Sequence, residues 1–249
     1  MRLEGKHVAV TGASRGMGRA IAVRLAAEGA RLSLLARTRA GLEQTAALAG
    51  GGHVEAVDVR ERAQVERAVD AAAAANGPLH GFVAVSGLGG ANEPGDGDRW
   101  DDLVATNLSG TYWCLRAAQR HLEPGPGARH LVVISSILAR IAVPFYTGYS
   151  ASKAGLLGLV RSLAAELAPG NVQVNAICPG WVDTDMAWQG LDAMPGTREE
   201  AYADAMREVP LGRMSQPEEI AGTVAWLLSD DARGLTGQTI DQNNGAWMG

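Results

Sequence analysis

Short apolar runs without polar alternation recur along this chain, and most are followed by a longer alanine-rich stretch with helical spacing. The runs His7–Val10, Arg31–Ala36, His53–Val57, Gly81–Val85, His130–Ser135, Gln173–Ile177 and Gln238–Asp241 are predicted strands. The stretches Gly16–Glu28, Thr38–Ala49, Glu61–Ala75, Trp100–His121, Tyr149–Leu167 and Gln216–Leu228 are predicted helices. A strand that lacks alternation is apolar on both faces, so both faces must be covered. Helices connecting successive strands cover them when the strands run parallel. The pattern therefore predicts an α/β fold, a doubly wound parallel sheet of about seven strands with helices on both faces. No low-complexity linker or internal repeat divides the chain, so residues 1–249 are expected to form a single domain. Ser215-x-x-Glu218 reads as a capping box opening the last helix. Two stretches read as functional loops: Gly87–Asp98, rich in Gly, Asn, Asp and Pro, and Asp183–Pro210, which interrupts the alternation and is predicted to be a substrate lid.

Composition narrows the function classes. Hydrophobic residues make up 47% of the chain and charged ones 20%, an ordinary globular balance with ample core. A net charge of −5 without a dense Lys/Arg run gives no reason to expect nucleic acid or an anionic membrane as partner. Cys114 and Cys178 lie far apart, which offers neither a disulfide framework nor a zinc motif. The five histidines show no ligand spacing, so no metal is expected. No signal-peptide layout and no bilayer-length apolar stretch are present, and a cytoplasmic location is expected.

Directly after the first predicted strand comes Thr11-Gly12-Ala13-Ser14-Arg15-Gly16-Met17-Gly18, and then a helix. Glycines let the backbone turn sharply and approach a pyrophosphate, while the helix start offers free N–H groups and a positive dipole end. A second signal lies in the basic residues. Of 22 Lys and Arg, only Lys6 and Lys153 are lysine, and Lys153 stands four residues after Tyr149. On a helix that spacing places the two side chains on one face. With four Tyr and two Lys in the chain, such a pair would arise by chance about 0.03 times. An ammonium is a compact charge with a movable pKa, unlike a guanidinium.

These motifs together resemble the classical short-chain dehydrogenase/reductase family over nearly the whole chain. The resemblance rests on Thr11 with Gly12-x-x-x-Gly16-x-Gly18, Asp58-Val59, Asn107 in Thr106–Gly110, Ser135-Ser136, Tyr149-x-x-x-Lys153, and Asn175–Gly180 with Thr184 following. It implies a Rossmann-type single domain and hydride transfer between a nicotinamide cofactor and a carbonyl or secondary alcohol. It implies Asn107, Ser136, Tyr149 and Lys153 as the catalytic set. Tyr149 would be acid in reduction and base in oxidation. Lys153, together with the nicotinamide cation of the oxidised cofactor, would lower the Tyr149 pKa from about 10, and Lys153 would also bind ribose hydroxyls. Ser136 would hydrogen-bond the substrate oxygen. Asn107 would hold a water linking Lys153 to solvent. Cofactor contacts implied by resemblance are Gly12, Ser14, Arg15, Gly16, Met17, Gly18, Arg37, Asp58, Val59, Ser86, Gly87, Tyr149, Lys153, Pro179, Gly180, Val182 and Thr184, with Asp58 and Val59 flanking the adenine.

NAD-preferring relatives carry an acidic residue at the end of the second strand. This chain has Ala36 followed by Arg37, and Arg15 precedes the second loop glycine. Arginine clamps a 2′-phosphate that a carboxylate would repel, so NADP(H) is the expected cofactor. Two segments depart from the family pattern: Ala84-Val85-Ser86-Gly87 replaces the usual Asn-Asn-Ala-Gly, and Asp241–Gly245 replaces smaller residues. Ile137, Leu138, Phe145, Tyr146, Trp181, Met186, Trp188 and Met194 are the expected walls of a hydrophobic substrate pocket. The closest look is to 3-oxoacyl-carrier-protein reductases and polyketide-type ketoreductases, so a small-molecule ketone or a thioester-linked one is the expected substrate. Glu166–Gly170 carries no positive residue for docking an acidic carrier protein. An alcohol dehydrogenase working oxidatively and a non-catalytic dinucleotide sensor are the competing readings. Resemblance also implies a homotetramer or homodimer.

Overall fold

A computed structural model describes residues 1–249. Its strands are β1 (His7–Thr11), β2 (Arg31–Ala36), β3 (His53–Ala56), β4 (Gly81–Ala84), β5 (Arg129–Ile134), β6 (Val172–Pro179) and β7 (Thr239–Gln242). They form one seven-stranded sheet in the order β3-β2-β1-β4-β5-β6-β7, and every pairing is parallel. The order reverses between β1 and β4, which opens a crevice at their C-terminal ends.

The helices are α1 (Gly16–Ala27), α2 (Arg39–Leu48), α3 (Arg62–Asn76), α4 (Trp100–Val104), α5 (Gly110–Gln119), α6 (Thr147–Leu167), α7 (Asp185–Asp192), α8 (Arg198–Arg207) and α9 (Pro217–Leu227). Successive strand residues point to opposite faces, so each central strand feeds two cores. Phe82, Leu131 and Val133 pack under α3, α5 and α6. Val83, Val132 and Ile134 pack under α1 and α9. This two-sided burial is the reason the strand runs lack polar alternation.

The structure changes three local expectations. Trp100–His121 is not one helix, because a π turn at Ala105–Ser109 separates α4 from α5. The wide turn carries Asn107, fully buried, and Gly110 abuts Val59 so closely that a Cβ would lie 2.8 Å from Val59 Cγ2. The last helix is capped one residue later than expected. Glu219, not Glu218, reaches back to the Gln216 N–H at 2.7 Å. Ser215 is buried instead and donates to Asn244 Oδ1 at 3.1 Å. Finally, the stretch 183–210 is a helix pair with its own small core of Ala187, Leu191, Ala201, Met206, Val209 and Met214.

Candidate active site

The loop after β1 is held from beneath. Thr11 Oγ1 accepts from the backbone N–H groups of Val85 and Ser86 at 3.0 and 3.2 Å. Gly12 and Gly16 adopt φ +66 and +53, where side chains are disfavoured. A Cβ on Gly18 would lie 2.2 Å from Gly12 O, so α1 and the loop touch only because that position is glycine. Gly18→Ala should lower dinucleotide affinity by ~100-fold or more by prising the loop from the helix start. Titration of cofactor against the folded variant checks this, and unchanged affinity would refute it. Arg19 braces the loop, donating to Ser14 O, to Gln44 Oε1 and, through Nε, to Thr45 Oγ1.

A cleft of about 600 Å³ runs along this loop. Its walls bring together Gly12, Ser14, Arg15, Gly16, Met17, Gly18, Arg37, Asp58, Val59, Ser86, Gly87 and Thr184. That volume suits an elongated cofactor, and the uncovered helix start suits its phosphates. Tyr149, Lys153, Pro179, Gly180 and Val182 are not among the walls; Val182 points into the core beneath α1 and α9. Arg15 reaches across the mouth to Asp185 on α7 at 3.3 Å, with both side chains largely exposed. Arg60 grips Asp58 through Nε and Nη2 at 2.7–3.1 Å, and this holds the Asp58 carboxyl below its ordinary range.

Gly87 marks the inner end of the cleft. A Cβ there would meet Asn107 Oδ1 at 3.3 Å and Lys153 Nζ at 3.4 Å. Lys153 is 5% exposed and donates from Nζ to Ile134 O at 2.9 Å. Burial disfavours its ammonium and pushes its pKa down to about 8. Nζ lies 5.8 Å from the centroid of the Tyr149 ring, one turn away on the same face of α6. Ser136, buried just past the end of β5, accepts from Leu138 N–H at 3.1 Å. At Tyr149 burial raises the pKa, the Ser136 hydroxyl opposes that rise, and Lys153 is not among the causes. The lysine is itself desolvated and committed to a carbonyl.

Asn107 Oδ1 accepts from Leu88 N–H at 2.7 Å, and its amide donates to Leu88 O at 3.0 Å and Ser152 Oγ at 3.1 Å. Its observed bonds therefore clamp the loop after β4 onto α6. Neighbouring Ser135 donates to Lys153 O at 2.9 Å and anchors α6 from below. Cys178 is buried, and desolvation raises its thiol pKa, leaving it inert as a nucleophile.

The expected apolar walls divide. Ile137, Leu138 and Tyr146 lie on the segment joining Ser136 to Tyr149, with Tyr146 edge-on to Tyr149 at 6.3 Å. Phe145 is 61% exposed with φ +64, a strained backbone for a bulky residue. Met186 is exposed at the mouth, close against Gly89. Trp181, Trp188 and Met194 instead pack onto the small core of the helix pair. Trp188 stacks on Tyr202 at 5.8 Å and donates to Asp183 Oδ1 at 2.7 Å. It lines a separate cavity of about 420 Å³ that holds none of Asn107, Ser136, Tyr149 and Lys153.

Two features escape sequence reasoning. Arg140 pairs with Asp241 at 3.3 Å across 101 residues and lies over the Trp247 ring at 4.9 Å. Asn92 is a buried hydrogen-bonding node. Only the unusual Asp241–Gly245 segment hinted at the first, and nothing local signals the second. No group of three or more His, Cys, Asp or Glu is placed to hold a metal ion, and no helix is long and apolar enough to cross a membrane.

Known proteins match this chain along its length. A family model described as enoyl-(acyl carrier protein) reductase matches residues 12–246. The 3-oxoacyl-[acyl-carrier-protein] reductase of Escherichia coli (strain K12) is 33% identical, covering 100% of both chains. A short-chain dehydrogenase/reductase from Brucella melitensis superposes with a TM-score of 0.91 at 30% identity, covering 100% of this chain and 99% of the other. An actinorhodin polyketide ketoreductase variant solved with NADPH superposes with a TM-score of 0.89 at 33% identity, covering 97% of each.

Proposed function

Because the chain belongs to the short-chain dehydrogenase/reductase family, we propose that it is an NADP(H)-dependent ketoreductase acting on a hydrophobic ketone or 3-oxoacyl substrate. The approach of Asn107 and Lys153 to Gly87 on the glycine-loop cleft, with the Tyr149 ring 5.8 Å from Lys153 Nζ, carries this reading. When bound, the nicotinamide supplies hydride to the carbonyl carbon. The chain's own residues handle the oxygen. Tyr149 holds a proton at its hydroxyl and delivers it to the carbonyl oxygen as negative charge grows there. A phenol is protonated at neutral pH, the form that reduction requires, and burial holds it there. Ser136 donates a hydrogen bond to the same oxygen. Lys153, with a pKa near 8, keeps a proton to pass back to Tyr149, and Asn107 holds the loop that frames the passage.

Arg37 at the cleft lip and Arg15 across its mouth are proposed to bind the 2′-phosphate of NADPH. The α7–α8 pair, with a core of its own, is proposed to act as a lid over the substrate, and a homotetramer or homodimer as the assembly. The enoyl reductase description of the family model makes reduction of a carbon–carbon double bond the second reading.

NADPH oxidation with 3-oxoacyl thioesters, cyclic ketones and enoyl thioesters separates these readings. Turnover of a ketone supports the proposal, and turnover of enoyl thioesters alone overturns it. Tight NADPH binding without any turnover points to a sensor. The kcat/KM for NADPH should exceed that for NADH by ~10- to 100-fold, and Arg37→Ala should erase most of the difference. An equal or NADH-favouring ratio in the unaltered enzyme would remove the cofactor assignment.

A further inference from the structure

We infer that Asn92 is a positioning residue that sets the first turn of α6, and through it the placement of Tyr149, by capping that helix from another loop. The inference rests on the role proposed above for Tyr149. Helix α6 begins at Thr147, and its N-cap residue, Tyr146, supplies no side-chain cap. A helix start leaves N–H groups that need acceptors. Asn92, from the loop after β4, supplies one: its Oδ1 accepts from Gly148 N–H at 2.8 Å and from Thr147 Oγ1 at 3.2 Å. The Asn92 backbone N–H also donates to Phe145 O at 2.7 Å, fastening the strained residue that leads into the helix. Tyr149 is the next residue after Gly148, so the turn held by Asn92 is the turn that aims the phenol.

The same side chain reaches further. Asn92 Nδ2 donates to Asp98 Oδ1 at 3.1 Å, and that oxygen also accepts from Trp100 N–H at 2.9 Å, the start of α4. Beyond α4 lies the π turn with Asn107. One buried amide, 6% exposed, thus ties together the starts of the helix bearing Tyr149 and Lys153 and the helix leading to Asn107. Packing leaves little slack, since a Cβ on Gly148 would meet Leu103 Cδ1 at 3.1 Å and Asn92 Oδ1 at 3.3 Å. Without the cap the first turn is free to fray, and a shift of about 1 Å in a proton donor costs ~100-fold in rate.

Asn92→Ala should lower kcat by ~10- to 100-fold, with KM and the Kd for NADPH held within about 2-fold. Hydrogen exchange at the Gly148 amide should quicken in the same variant while core amides stay protected. A swap gives the rescue. Asn92→Asp keeps the acceptor for Gly148 but faces Asp98, so it should be slow. Adding Asp98→Asn restores a donor–acceptor pair and should recover most of kcat. Wild-type kcat in Asn92→Ala, a loss confined to KM, or no recovery in the swapped pair would each overturn the inference. Should Asn92→Ala fail to fold, the Asn92→Asp and swapped proteins decide by the same comparison. An inactive Tyr149→Phe beside a fully active Asn92→Ala removes this inference alone. An active Tyr149→Phe removes the reading beneath it.

Discussion

Tyr149→Phe should lower kcat for ketone reduction by ~10³-fold or more, with NADPH affinity kept within about 2-fold. The substitution removes one oxygen and leaves the ring, so packing against Tyr146 at 6.3 Å and Lys153 at 5.8 Å is retained. What disappears is the proposed acid. No other group is placed to replace it. Ser136 offers a hydroxyl of much higher pKa, already accepting from Leu138 N–H. Lys153 Nζ is tied to Ile134 O and buried behind the phenol. The cleft walls that would hold the dinucleotide, from Gly12 to Gly18 and at Arg37, do not include Tyr149, so cofactor titration serves as the internal control. Steady-state kinetics with a substrate identified by the ketone panel gives the readout. A variant that turns over at the wild-type rate would show that the oxygen is protonated by something other than this helix.

The sheet and its helices were legible in the sequence because buried parallel strands impose a local signature. His7–Thr11, Arg31–Ala36 and Arg129–Ile134 are apolar runs wherever both faces are covered. The glycine loop was legible for a similar reason, since backbone proximity admits only glycine at Gly18. The π turn was not, because the spacing from Trp100 to His121 reads as unbroken helix. The turn carries Asn107, whose bond to Leu88 nineteen residues away leaves no mark on local spacing. The α7–α8 pair was hidden by Gly190, Pro195 and Gly196, which punctuate the segment like a loop. Trp188 looked like a substrate wall because large aromatic residues suit both an apolar pocket and a small core. Only the Tyr202 stack and the Asp183 bond decide for the core. The electrostatics of the Tyr149–Lys153 pair were only partly legible: spacing gives proximity but says nothing of desolvation, which moves both groups toward their neutral forms.

Acid should unfold the cofactor-free protein early, beginning below about pH 6.5 rather than in the carboxylate range. His7 on β1, His80 just before β4 and His130 on β5 lie on adjacent strands at the end of the sheet opposite the cleft. Their backbones are linked, His80 N–H to His7 O at 2.9 Å and His130 N–H to His80 O at 3.0 Å. Each residue is at most 2% exposed. His7 is satisfied by Gly77 O and Ser33 Oγ, but His130 has no hydrogen-bond partner on either ring nitrogen, and His80 lacks one at Nδ1. Burial lowers the pKa of all three, and burial together with His80, 5.3 Å away, pushes His130 down to about 3. Lys6 adds to that lowering, and Asp230 opposes it. A histidine whose folded pKa lies below its unfolded value of about 6.5 binds its proton first in the unfolded chain. The stability it contributes is complete above about pH 6.5, falls through the window down to about pH 3, and is gone below it. For His130 the full loss is on the order of 5 kcal/mol, a large share of the stability of an ordinary domain. Depressed carboxylates such as Glu219, held at about 2 by Arg213, weaken the fold only at lower pH, so the two effects separate. Urea midpoints at fixed protein concentration from pH 8 to pH 4.5 should fall steadily below pH 6.5. His130→Leu should flatten that slope by about one proton's worth. Parallel curves for the two proteins, or a flat wild-type curve between pH 7 and pH 5, would show that the buried histidine row does not carry the acid sensitivity.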